Sequence, residues 1–179
     1  MQMNNTELFE LLEGNLTSLR ARMPDVPVSS IMLCRMILHL GREMALRFEK
    51  DLRPSGLTEP EFRVLTTLYS HPNGVAHPSE LCARAMQSPA NMSRIADALV
   101  SRDLITRVMS SQDRRRMVLR ITEQGEEVVR ALLPRLFKPL KEMMKDFPET
   151  DQQQLVALLK RVASAMDAAP LPKPAERHA

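Results

Sequence analysis

Residues 88–125 read SPANMSRIADALVSRDLITRVMSSQDRRRMVLRITEQG, and a change of periodicity inside this stretch decides the fold. Ser88 can accept a hydrogen bond from a first-turn N–H, and Pro89 suits the first helical position, where its missing donor costs nothing. Met92, Ile95, Ala96, Leu99 and Val100 then recur at helical spacing, which leaves Asn91, Ser93, Arg94 and Asp97 on other faces. After Arg102 and Asp103 the period becomes two. Ile105, Arg107 and Met109 alternate with Thr106 and Val108, and residues 117–121 form the returning strand. The spacing predicts a short capped helix followed by a β-ribbon whose tip is Asp113-Arg114-Arg115-Arg116.

Charge singles out the same region. Residues 84–120 hold eight arginines against three acids, a net charge of +5, whereas the whole chain carries only +3 and its remainder is therefore net acidic. Positive charge confined to about a fifth of the molecule is the footprint of a polyanion site, because each neutralised phosphate releases condensed counterions. Taken alone, a charge run is commonly just a solvated face. Here cap, helix, ribbon and arginine tip occur in the order of a winged helix-turn-helix, so the fold expected is mostly α with a small β-wing.

Composition sets the outer limits. An apolar content of 44% in 179 residues can bury a core, although Trp is absent and the aromatics are Tyr69 and five Phe; one globular unit is expected. Residues 1–13 lack the basic start and apolar run of a signal peptide, and no apolar stretch approaches the ~18 residues of a membrane span, which points to a cytoplasmic protein with no membrane partner. Cys34 and Cys82 are too few and too far apart for a disulfide framework or a zinc knuckle.

Around the central stretch the helices are punctuated by caps and turns. Residues 4–22 read as a short amphipathic helix (Leu8, Leu11, Leu12, Leu16, Leu19), an appendage joined by residues 23–28 to a long helix capped by Ser29 or Ser30 and reaching about Leu52. Its expected core stripe is Leu33, Ile37, Leu40, Met44 and Phe48. Thr58 and Glu61 form a capping box opening a helix to about Ser70. A third short helix starts at Pro78, with His77 a poor cap, and its tight junction to the Ser88 helix makes the helix-turn-helix. Thr122 to Gly125 opens another long helix, which Pro134 and Pro139 should bend. Thr150 and Gln153 cap the last helix, whose stripe of Leu155, Leu158, Leu159, Val162, Ala163 and Met166 is too wide for a monomer surface and needs a partner. The proline-rich tail, residues 169–179, is expected to be disordered.

The order of long helix, Leu57-Thr-Glu-Pro-Glu-Phe-Arg-Val-Leu65, Ser79-Glu-Leu81, Asn91-Met-Ser-Arg-Ile-Ala-Asp-Ala-Leu99, Arg102-Asp-Leu-Ile105, Asp113-Arg-Arg-Arg-Met-Val-Leu-Arg-Ile-Thr122 and Gly125 resembles the MarR family of bacterial transcriptional regulators over residues 29–166. The motif of Asp113, Arg115, Ile121, Thr122 and Gly125 is its most specific part. The resemblance implies a homodimer built from residues 29–56 and 122–168, around a DNA-binding domain of residues 57–121. Residues 1–28 are a longer amino-terminal extension than the family minimum and resemble the extra helix of the urate-responsive branch. That branch uses a Trp for its ligand and this chain has none, which argues against urate.

The expected partner is double-stranded DNA, read as a pseudo-palindrome with half-sites about one helical turn apart. Gln87, Ser88, Asn91, Ser93 and Arg94 stand near the amino end of the recognition helix, where side chains reach base edges and the dipole favours a phosphate; Arg94 is the foremost base reader. Arg115, with Arg114 or Arg116, suits the adjacent minor groove, while Asp113 could hold one arginine extended. The resemblance further implies release by a small aromatic acid or phenol, entering between the dimer helices and the DNA-binding lobe. Met32, Arg35, Met36, His39 and Glu43 lie on a face of the long helix beside the Leu33 stripe and offer thioethers with groups for a carboxylate or ring nitrogen, a hydroxynicotinate-like compound being the expected class. The alternative for His39 is a satisfied interior histidine.

A second switch is thiol oxidation at Cys34, near the position of the reactive cysteine in the peroxide-sensing branch, although the aromatic partners of that branch are missing after it; a structural thiol is the alternative. From another functional class, a dimeric interaction module without DNA affinity stands as an alternative. An enzyme is argued against by the lack of a glycine-rich phosphate loop, a His/Cys ligand spacing or a nucleophile elbow, and no cofactor is expected. His77 with Glu80 could suggest an acid/base pair, but a helix start accounts for Pro78-Ser79-Glu80.

Overall fold

The computed structural model describes residues 3–109 and 117–169, so the Asp113 to Arg116 tip and the tail from 170 onward lie outside the described residues. The elements run α1 (Asn5–Arg22), α2 (Val28–Leu52), a 3-10 turn (Arg53–Ser55), α3 (Glu59–Ser70), β1 (Val75–Ala76), α4 (Pro78–Arg84), α5 (Pro89–Ser101), β2 (Ile105–Met109), β3 (Met117–Ile121), α6 (Glu123–Met143) and α7 (Glu149–Ala168). The sheet has the order β1-β3-β2, all antiparallel, with Ile105 opposite Ile121, Met109 opposite Met117 and Val75 opposite Arg120. A mostly helical chain with a winged ribbon is therefore observed, as its periodicities imply.

The core is built where these elements converge. Leu52, Val64, Leu65, Leu68, Leu81, Leu99, Leu104, Ile105, Leu119 and Val129 are fully buried, so α3, α4, α5 and the ribbon share one apolar centre, against which partly buried Phe48, Cys82 and Val100 also pack. Each such aliphatic side chain stabilises the fold by roughly 1.5–3 kcal/mol relative to exposure. Capping agrees with the sequence at three helices. The Thr58 hydroxyl accepts from the Glu61 N–H and the Glu61 carboxylate accepts from the Thr58 N–H, at 3.4 and 2.8 Å. Ser88 Oγ accepts from the Asn91 N–H at 3.2 Å, and Thr122 Oγ1 accepts from the Gly125 N–H at 3.0 Å.

Five expectations are corrected. Neither Ser29 nor Ser30 caps α2, and Thr150 does not cap α7; Pro27 and Pro148 occupy the two cap positions without a side-chain bond. The helices begin directly after these prolines, at Val28 and Glu149, so the hydroxyl residues fall inside the first turn, past the position where a side chain could cap. The Leu33 stripe is not core in the single chain: Leu33, Ile37, Leu40 and Met44 are 36–47% exposed, and Leu52 is the one buried residue of α2. Nor is α1 a mere appendage, since Leu16 is buried and Asn5 and Phe9 meet His39 on α2. Finally the chain forms two compact units rather than one, divided between Leu136 and Phe137. Leu136 is the last described residue of the core cluster, and α7 has no buried residue. Helix α6 remains helical past Pro134 and Pro139.

Candidate nucleic-acid interface

The turn between α4 and α5 sets how the second helix is presented. The Gln87 N–H bonds to the Cys82 carbonyl at 2.8 Å and the Met86 N–H to the Ala83 carbonyl at 3.3 Å, which closes α4 in the manner of a Schellman motif. The residue after the cap must then be left-handed, and it is Met86, at φ 53°. Glycine normally fills that position, because a Cβ there is strained. Burial of Leu81, Ala85, Met92, Ile95, Ala96 and Leu99 fixes the two helices on the core, so the opposite side of α5 faces solvent.

The five residues nominated around the amino end of α5 divide into two groups. Ser88, Ser93 and Arg94 are exposed. Gln87 and Asn91 are half-buried and occupied with each other: the Asn91 amide donates to Gln87 Oε1 at 2.6 Å, while the Gln87 amide donates to the Ala85 carbonyl at 3.0 Å. Those bonds tie the turn to the first turn of the helix. Asp113, Arg114, Arg115 and Arg116 fall outside the described residues.

Three ion or hydrogen-bond links were not legible from residue spacing. Asp97 on the outer face of α5 pairs with Arg107 on β2, joining α5 and the ribbon through an acid that faces the same side as Ser93 and Arg94. Arg102, just after α5, donates to the carbonyls of Gly56 and Ser55 at 2.9 and 3.0 Å, which fastens the carboxyl end of α5 to the turn that follows α2. Glu80 is bound not by His77 but by His71 Nε2 at 3.0 Å and by Arg84 Nε at 2.9 Å. The His71 hydrogen bond is the main cause that holds the Glu80 carboxyl below its ordinary pKa, opposed by partial burial and aided by the nearby Arg84 charge. At the start of α6, the Thr122 N–H bonds to the Leu104 carbonyl at 3.1 Å, and the Thr122 hydroxyl donates to the Asp103 carbonyl at 2.6 Å. Gly125 is required there, since a Cβ would lie 2.2 Å from the Leu104 carbonyl oxygen.

The face nominated for a small ligand is only partly assembled. Met32, Met36, His39 and Glu43 are half-buried in a row on α2, and Arg35 is exposed beside them. His39 Nε2 lies 2.9 Å from Asn5 Oδ1, and the Phe9 ring meets the imidazole edge-on at 5.5 Å. Both partners come from α1, which residue spacing did not bring to this face. Cys34 is exposed and Cys82 half-buried. No helix among the described residues is long and apolar enough to cross a membrane.

Known proteins share this arrangement. The sequence profile of the MarR family matches residues 55–116. Transcriptional repressor MprA of Escherichia coli (strain K12) is 33% identical over 159 residues, covering 89% of this chain and 90% of that protein. Among solved structures, AbsC, a MarR family transcriptional regulator from Streptomyces coelicolor, has a TM-score of 0.70 at 22% identity and covers 94% of this chain and 99% of its own. CouR from Rhodococcus jostii RHA1, solved bound to p-coumaroyl-CoA, has a TM-score of 0.65 at 22% identity and covers 72% of this chain and 89% of its own. At these identities the two structures speak for the fold alone.

Proposed function

The chain belongs to the MarR family of transcriptional regulators, and we propose that it is a cytoplasmic, ligand-responsive repressor that binds pseudo-palindromic duplex DNA as a homodimer. The observation that carries the reading is the α4–α5 unit, whose second helix turns Ser88, Ser93 and Arg94 to solvent beside a ribbon linked to it through Asp97 and Arg107. In this reading residues 57–121 meet DNA. Ser88, Ser93 and Arg94 enter the major groove, Gln87 and Asn91 brace the helix that carries them, and Arg115 with Arg114 or Arg116 and Asp113 serves the adjacent minor groove. Residues 29–56 and 122–168 supply the dimer contacts. The exposed stripe of Leu33, Ile37, Leu40 and Met44 and the exposed Leu155, Leu158 and Leu159 of α7 support this, because such apolar runs are costly in water and a two-fold partner would cover them.

The effector proposed is a small aromatic carboxylate or phenol. Support comes from the row of Met32, Met36, His39 and Glu43 with Arg35 at its exposed edge, and from the aromatic acyl thioester bound by CouR. Fluorescence anisotropy of labelled duplex across a salt series tests the core of the reading. Nanomolar, sequence-selective binding whose logarithm falls linearly with log salt is expected, with Arg115→Ala weakening it at least tenfold and flattening the slope; absence of selective binding by any duplex would refute it. Titration calorimetry with a panel of aromatic acids tests the effector, and no binding by the intact dimer would remove it. Exposure of Cys34 supports thiol oxidation as a second switch, which unchanged DNA affinity after peroxide treatment would dismiss.

A further inference from the structure

We infer that this protein reads thymine 5-methyl groups in each half-site through an apolar patch formed by Met86, Pro89 and Ala90. The inference rests on the DNA-binding reading above. In a helix-turn-helix the amino-terminal residues of the second helix meet the base edges. Of the residues there, Gln87 and Asn91 spend their amides on each other and on the Ala85 carbonyl, and Ser88 Oγ accepts from the helix backbone. The neighbouring Met86, Pro89 and Ala90 are all exposed. Met86 is the most prominent, 75% exposed and the most exposed large apolar side chain among the described residues. Its left-handed backbone, at φ 53°, costs conformational energy that glycine would avoid, yet the thioether gains no burial in return.

The chemistry narrows what such a patch can recognise. Every other base-edge feature of the major groove is a hydrogen-bond donor or acceptor, and a methylene or thioether surface matches none of them; the thymine methyl is the apolar exception. Methionine also adapts its shape to a partner at little cost. Arg94, exposed one turn further along α5, supplies the complementary polar reading of guanine, so a half-site combining thymine with guanine is the sequence class these side chains fit.

The test uses the full-length protein and a duplex that it selects from a random-sequence pool. Each thymine is replaced in turn by deoxyuridine, which removes the methyl alone. At one or more positions per half-site the affinity should fall about fourfold, corresponding to ~0.8 kcal/mol for one buried methyl-sized group at 1.4 kcal/mol per tenfold. The penalty should vanish at that position in Met86→Gly, where glycine meets the left-handed backbone without strain, or in Ala90→Ser. Neutral deoxyuridine at every position of a selectively bound duplex overturns the inference, as does a penalty that survives undiminished in both variants. Failure to select any duplex would instead refute the DNA-binding reading itself.

Discussion

Replacing Gly125 by alanine adds one methyl group where the structure has no room for it. The new Cβ would stand 2.2 Å from the Leu104 carbonyl oxygen and 2.9 Å from Ile121 Cγ1, and real Cβ contacts stay beyond about 3.0 Å. Neither neighbour can yield freely. The carbonyl is backbone and already accepts the Thr122 N–H, and Ile121 is a buried strand residue paired with Ile105. The amino end of α6 must retreat, at a cost of ~1–3 kcal/mol for overpacking and ~1 kcal/mol for each hydrogen bond around Thr122 that lengthens. Alanine's better helix propensity offsets up to ~1 kcal/mol. A net loss of about 2–4 kcal/mol is predicted, or roughly 5–15 °C in Tm for a chain of this size. Urea unfolding measures it, at one fixed protein concentration so that any self-association contributes equally to both proteins. Gly14→Ala is the matched control: nothing lies within 4 Å of its Cβ, so the same chemical change in exposed α1 should stabilise by ~0.5–1 kcal/mol. Equal effects of one sign at the two glycines, or a Gly125→Ala protein as stable as wild type, would refute the reasoning.

Three further predictions come from named contacts. Ser88→Ala removes the acceptor of the Asn91 N–H and should cost ~1 kcal/mol in urea unfolding; no change in midpoint would mean that water caps α5 equally well. Asp97→Asn removes an acid from the outer face of α5 and releases Arg107, so duplex binding at low salt should tighten several-fold and the slope of log affinity on log salt should steepen by about one; anisotropy that shows weaker binding would assign the pair to holding the ribbon in place. The carboxyl of Glu80 has a folded pKa below its ordinary value. Its contribution is therefore present above the unfolded value, ~4.3, and lost as pH falls through the folded one. Glu80→Gln should therefore lower stability modestly at neutral pH, converge with the wild type in acid and so flatten the acid limb of the stability profile; an unaltered acid limb would contradict it.

Local structure was legible from the chain because its causes are local. The capping bonds of Thr58, Ser88 and Thr122 join residues three apart, so a hydroxyl at the right distance from a periodic run is enough to place them. The alternation of residues 105–109 and 117–121 placed the ribbon for a similar reason, since the pleat imposes period two on any half-buried strand. Where a cap was misplaced, at Ser29 or Ser30 and at Thr150, the helix begins earlier, directly after a proline that leaves no side-chain acceptor at the cap position. The α2 stripe misled for a different reason. Helical spacing says that Leu33, Ile37, Leu40 and Met44 share a face, but spacing is silent about what lies over that face.

The sequence by itself determined the order of the helices, the helix-turn-helix with its two-stranded ribbon, and the concentration of arginine between residues 84 and 120, whereas the short β1 that pairs with β3 appeared only in the structure. Tertiary structure alone decided which polar groups are spent inside the protein. His71 meets Glu80 across nine residues, Asp97 meets Arg107 across ten, and Arg102 meets Gly56 across 46. No periodicity encodes such distances, because they are set by how Leu65, Leu81, Leu99 and Leu119 pack into a common core and carry their elements together. The same packing bonded Gln87 and Asn91 to the turn and left Met86 and Ala90 outside, so side chains that looked alike in reach became a brace in one case and an exposed surface in the other.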